Sequence, residues 1–178
     1  MMKTIQGKQY IIYIGKSEEY LLQLENWKYE GLEATDKARF LSLIECYDKD
    51  VPSDRLWAKL LLQNSNELEP DILLIEATER LFIGVEESIF VLDLSSGKMI
   101  FQQKLFAPFL AFYYTALGAV VALCELEVFV FDDEGRFRWG RSFPDVLSDI
   151  SMRGDIMEIA ELFGNTYRVH AFTGKLVK

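Results

Sequence analysis

Asp93-Leu94-Ser95-Ser96-Gly97-Lys98, Asp132-Asp133-Glu134-Gly135-Arg136 and Ala171-Phe172-Thr173-Gly174-Lys175 are one turn written three times, at intervals of about 39 residues. An apolar run precedes each turn (89–92, 128–131 and 167–171), and a basic residue with further apolar ones follows. Glycine supplies the positive φ that a tight hairpin demands, so each turn joins two strands. Self-similarity at a period near 40 means stacked supersecondary units, each too small to bury its own faces. Residues 71–178 therefore read as three β repeats.

Working outward from the turns, each repeat divides into four short strands rich in β-branched and aromatic residues. In the first repeat, 71–105, the strands are 72–76, 81–85, 88–94 and 98–105. The second covers 109–143, where Leu117-Gly118, Glu125 to Glu127 and Asp132 to Gly135 separate the strands. The third covers 146–178, and its fourth strand, 175–178, is a stub. The expected fold class is mainly β with a helical insert: three consecutive four-stranded antiparallel meanders, preceded by an N-terminal hairpin and about two helices.

The third strand of a repeat is apolar at consecutive positions, as in Ile89-Phe90-Val91-Leu92 and Val128-Phe129-Val130-Phe131. Both faces of such a strand are covered, as when meanders pack face to face around an axis. The motif D-x-x-x-G-K-x-x-F (Asp93, Gly97, Lys98, Phe101), repeated as Gly135-Arg136-x-x-Trp139, resembles the blade signature of quinoprotein-like (PQQ/WD-type) β-propellers. That resemblance covers residues 71–178 and implies a partial propeller, since closed rings generally have about four to eight blades. It also implies a cofactor site near the axis, but no residue here matches one. The expectation is no cofactor.

The N-terminal third has a different character. Residues 1–25 read as a hairpin, because Tyr13-Ile14-Gly15 followed by Glu18-Glu19-Tyr20-Leu21-Leu22 echoes Phe82-Ile83-Gly84 followed by Glu86-Glu87-Ser88-Ile89-Phe90. Residues 26–70 read as a helical insert. Thr35-Asp36 precedes Phe40, Leu43, Ile44 and Tyr47 at helical spacing, and Ser53-Asp54 would cap a second helix carrying Leu56, Trp57, Leu60 and Leu61. Such an insert would cover a sheet edge otherwise open to pairing with another chain.

A chain of 178 residues fits one domain and can bury roughly 70% of its unfolded surface. Its composition, 50% apolar and 26% charged, is that of a globular protein. A net charge of −9 repels phosphates and anionic lipid, which argues against nucleic-acid and membrane partners. Cys46 and Cys124 lie far apart in apolar surroundings, as buried thiols do in a reducing compartment, and the N-terminus lacks a secretory h-region. The expected location is cytoplasmic. Residues 105–124 carry no charge and meet the length criterion for a membrane helix. Pro108, Gly118 and the Tyr113-Tyr114-Thr115 centre favour two buried strands instead.

No catalytic signature emerges. Gly15-Lys16-Ser17 resembles the end of a phosphate-binding loop, but Tyr10 stands where the first glycine belongs. His170 is the single histidine, and its alignment with Leu92 and Phe131 favours a hydrogen-bonded core or half-exposed residue over a catalytic base. Two isolated cysteines and one histidine give no metal-ligand spacing. Arg136 and Arg138 share a strand face, where they would pair with carboxylates.

Acidic residues recur at equivalent turns: Glu86 and Glu87 in the first repeat, Glu125 and Glu127 in the second. With Asp145 and the linker 106–108 they would form one acidic, partly aromatic end. The expected function is a non-catalytic protein-binding module that engages a basic protein through Glu86, Glu87, Glu125, Glu127 and Asp145, for instance an immunity or antitoxin-type protein. The alternatives are a quinoprotein-like enzyme or sensor binding a small molecule, and a structural subunit completed by homo-oligomerisation.

Overall fold

The computed structural model describes residues 3–6, 10–16, 40–48, 58–64 and 69–177, and every regular element within them is a β-strand. The chain divides into two compact units, Met1–Pro70 and Asp71–Lys178.

The N-terminal unit contains β1 (Lys3–Gln6), β2 (Tyr10–Lys16), β3 (Phe40–Asp48) and β4 (Ala58–Asn64), hydrogen-bonded in that order as an antiparallel meander. The expected helical insert is thereby overturned. Phe40, Leu43, Ile44 and Tyr47 lie in β3, Leu60 and Leu61 lie in β4, and Leu43 pairs with Leu61 and Ile44 with Leu60. The physical reason is that Phe40-Leu41, Leu43-Ile44 and Cys46-Tyr47 put apolar residues on both faces of a strand and equally satisfy helical spacing. Pairing separates the two, because β3 is bonded to β2 on one side and to β4 on the other along runs of nine and seven residues. Of the N-terminal hairpin, β2 pairs with β1 on one side and β3 on the other. The segment 18–22, and with it Leu56 and Trp57, lies outside the described residues.

The C-terminal unit holds three sheets. The first is β5 (Asp71–Ile75), β6 (Arg80–Val85), β7 (Ser88–Asp93) and β8 (Lys98–Lys104); the second is β9 (Phe109–Tyr114), β10 (Ala119–Cys124), β11 (Glu127–Asp132) and β12 (Phe137–Ser142). The third has only three strands, β13 (Leu147–Arg153), β14 (Ile156–Glu161) and β15 (Thr166–His170), which corrects the expectation of three four-stranded meanders. After Gly174 the chain makes a single isolated bridge, Val169 to Leu176, with N–H bonds from His170 to Lys175 O and from Val177 to Arg168 O. Those contacts do not amount to a ladder. The charge-free run 105–124 forms β9 and β10, and among the described residues no helix is long and apolar enough to cross a membrane.

Stacking explains the continuous apolar strands. Along β10 the period-two alternation sends Val120, Ala122 and Cys124 into a core shared with Phe82, Ile89 and Val91 of the first sheet. It sends Ala119, Val121 and Leu123 into a second core with Leu147, Met157 and Ile159 of the third. All six residues of β10 are buried. In this setting burial, reinforced by the negative charge of Glu127, pushes the Cys124 thiol up to about 12, so the group stays protonated at neutral pH.

The glycine turns of the second and third sheets lock each to the sheet before it. Gly97, Gly135 and Gly174 all adopt positive φ, at +68°, +79° and +63°. The turn of the second sheet is held by the first: Thr78 Oγ1 donates to Asp133 O, and Arg80 Nε donates to Glu134 O at 2.9 Å. The turn of the third is held by the second: Trp139 Nε1 donates to Ala171 O at 2.7 Å and Arg141 Nη2 to Gly174 O at 3.0 Å.

Carboxylates brace the same turns. Asp132, 5% exposed, accepts from the backbone of Glu134 and Arg136 and pairs with the Arg136 and Arg138 side chains at 3.1 and 2.8 Å. Asp93 accepts from Ser95 Oγ at 2.6 Å, Ser96 Oγ at 2.9 Å, Ser95 N at 3.0 Å and Arg80 Nη1 at 2.7 Å. The Ser95 hydroxyl foremost, with the Ser96, backbone and Arg80 contacts, outweighs desolvation and holds the Asp93 carboxyl below its ordinary value. A depressed folded-state pKa means the unfolded chain takes up this proton first, so the stabilisation is present above the usual carboxylate pKa of about 4 and disappears as pH falls through the lower folded value. In urea titrations the gap between wild type and Asp93→Asn is therefore expected to be widest near neutrality and to narrow in acid. A gap that stays constant from about pH 7 to pH 3 would contradict the proton linkage.

Candidate partner-binding surface

Antiparallel order places two sets of connections on one end of the C-terminal unit. These are the turns joining the second and third strands of each sheet (86–87, 125–126 and 162–165) and the linkers between sheets (105–108 and 143–146). A string of backbone hydrogen bonds ties them together. Glu87 O accepts from Leu105 N and Glu86 O from Phe109 N; Glu125 N donates to Pro108 O. One repeat later Leu126 O accepts from Phe143 N, Glu125 O from Leu147 N, and Val146 O from Leu162 N, at 2.7–2.8 Å. Glu86 and Glu125 thus do the same thing in successive sheets, each offering its carbonyl to the first residue of the next sheet. Glu86 adopts φ +46°, a conformation that non-glycine residues seldom take.

All five acidic residues singled out in the sequence, Glu86, Glu87, Glu125, Glu127 and Asp145, lie on this end. Their side chains differ in what they do. Glu87 is exposed, whereas Glu86, Glu125, Glu127 and Asp145 are half-buried. The Glu127 carboxylate accepts from Phe106 N at 2.9 Å and Ser142 Oγ at 3.2 Å, fixing the linker, and Asp145 Oδ1 accepts from Val146 N at 2.7 Å. Glu127 is therefore a brace as well as a surface charge.

Apolar side chains stand out beside these charges. Phe106 is 92% exposed between buried Leu105 and Ala107, while Leu162 and Phe163 in the third sheet's turn are 59% and 78% exposed. Sequence reasoning found the Phe106 linker and missed Leu162 and Phe163. The signal was present as Leu162-Phe163-Gly164-Asn165, apolar residues inside a turn-forming stretch where the other two sheets carry acidic ones. Beneath that turn Glu161, 3% exposed, accepts from Asn165 Nδ2 at 2.6 Å and Tyr167 OH at 3.0 Å. Partial desolvation and the Glu161 acceptor raise the Tyr167 pKa, keeping the hydroxyl a donor.

His170 ends β15 as Asp93 ends β7 and Asp132 ends β11, one place beyond the core slot expected for it. It is half-exposed, with Nδ1 3.2 Å from Asp155 Oδ2. Arg136 and Arg138 pair with Asp132 as their shared face suggested. Among the described residues no group of three or more histidine, cysteine, aspartate or glutamate side chains is gathered to hold a metal ion.

No family model matches the chain, and no curated protein matches it in sequence. Solved structures share its fold. The computationally designed Ika8 protein superposes with a TM-score of 0.53 and 13% identity over 98% of this chain and 59% of that one. Saccharomyces cerevisiae Sqt1 gives 0.53 and 12% over 100% of this chain and 48% of that one. The chain thus spans about half the length of these two structures, and at such identities the likeness is one of fold alone.

Proposed function

We propose that this chain is a non-catalytic protein-binding module, built from propeller-like meanders, that engages a basic protein through the linker end of its C-terminal unit. The observation that carries this reading is that Glu86, Glu87, Glu125, Glu127 and Asp145 share one hydrogen-bonded end with exposed Phe106. Charge complementarity sets association rate and register, and a buried aromatic supplies binding energy. The net charge of −9 adds long-range attraction for a cationic partner, of which a toxin met by an immunity-type protein is one instance.

The test uses a fluorescein-labelled lysine- and arginine-rich peptide and reads anisotropy. Reversal of Glu87, Glu125 and Asp145 to lysine is expected to weaken binding at least ~10-fold, or about 1.4 kcal/mol. Three reversals on the opposite end, at Glu76, Glu134 and Asp155, alter net charge equally and are expected to leave most of the affinity intact. Equal loss in both variants would mean that the peptide senses net charge only, and the assignment to the linker end would fall.

A further inference from the structure

We infer that the partner segment docking on the linker end is amphipathic as well as cationic, and that Phe106 and Phe163 are the two anchors it covers. This rests on the reading above and specifies the partner's chemistry. Scattered exposed apolar residues are ordinary, but these two are held outward by the surrounding structure. Phe106 cannot turn inward, because Leu105 and Ala107 on either side are buried and its own N–H is bound by Glu127 Oε2 at 2.9 Å. Phe163 sits at the tip of a turn closed by Gly164 N donating to Glu161 O at 3.1 Å and by Leu162 N donating to Val146 O at 2.7 Å. The Glu161 carboxylate, almost wholly buried, holds the base of that turn through Asn165 and Tyr167.

An aromatic side chain has only two χ angles to order, so covering one whose backbone is already fixed costs little conformational entropy, which is what makes it an effective anchor. The carboxylates that share this end with the anchors decide what covers them. A second copy of this chain would bring the same acidic end against itself, and like charges facing each other oppose that pairing. An anionic lipid surface meets the same repulsion. A segment carrying lysine or arginine interleaved with leucine or aromatic residues satisfies both features at once.

Random peptides displayed on phage and selected on the immobilised full chain test this. The expected winners combine basic residues with large apolar ones. A synthetic winner should bind Phe106→Ser and Phe163→Ser at least ~10-fold more weakly than wild type, with unchanged melting temperature, and bind Leu117→Ser, altered at an exposed apolar residue on the opposite end, as well as wild type. Winners that are basic but wholly polar, or full binding by both phenylalanine variants, would overturn the anchors while leaving the charge reading intact. Winners without basic residues would overturn both. Concentration-dependent dimerisation, or vesicle binding, that the phenylalanine variants abolish would also overturn the inference by giving the surface another occupant.

Discussion

A Gly174→Ala chain is expected to unfold at a clearly lower urea concentration than either wild type or Gly154→Ala. Both glycines adopt positive φ, +63° and +64°, so alanine strains the backbone alike in each, at about 1 kcal/mol. Their surroundings differ. A Cβ at Gly154 would meet nothing within 4 Å, whereas one at Gly174 would lie 2.7 Å from Trp139 Cδ2 and 3.0 Å from Cγ. The indole has little freedom to retreat, because its Nε1 donates to Ala171 O within the same turn. Overpacking adds about 1–3 kcal/mol, making Gly174→Ala roughly 2–4 kcal/mol destabilising against about 1 for Gly154→Ala. Equal costs would show that this turn does not press on β12. Gly135 repeats the arrangement one sheet earlier, where a Cβ would stand 2.8 Å from Val91 Cγ1 and 2.9 Å from Ile100 Cδ1. At Gly135 and Gly174 the glycine that marks the period is thus required by the turn's dihedrals and by the contact between sheets.

That double constraint is why the repeat could be read from the chain. A residue that is costly to replace recurs visibly, and strands buried on both faces leave an unbroken apolar run such as 119–124. The same property misleads where glycines are absent. In 40–48 and 58–64 a two-faced apolar run satisfies helical and strand spacing together, and the deciding factor is pairing with a partner strand, which local sequence does not display. The candidate surface divides in the same way. Acidic pairs at 86–87 and 125–127 were legible because their turns are two residues long and aligned in register. The third turn is longer, 162–165, holds no carboxylate, and exposes Leu162 and Phe163, so alignment on charge passes over it.

The largest loss of stability is expected from Phe131→Ala. Phe131 is fully buried on β11 and meets three rings edge-on, Phe101 at 4.9 Å, Phe82 at 5.7 Å and Phe137 at 5.9 Å. Removing it takes the transfer energy of the ring and opens a cavity between the first and second sheets, about 3–5 kcal/mol in all. Against a domain stability of about 5–15 kcal/mol, that is a large share. Phe137→Ala is the comparison: its ring is 46% exposed and lies at the margin of the same cluster, so about 1 kcal/mol is expected. Native-state hydrogen exchange should localise the damage, with amides of β6, β7, β10 and β11 losing more protection than those of β14, whose Met157 and Ile159 belong to the other core. Uniform loss across all three sheets would instead mean that the unit unfolds as one block. Loss confined to the first two would show that each pair of sheets owns its core, and the linker end, pinned by backbone bonds between successive sheets, would then loosen at Glu86 and Phe109 before it loosens at Glu125 and Leu147.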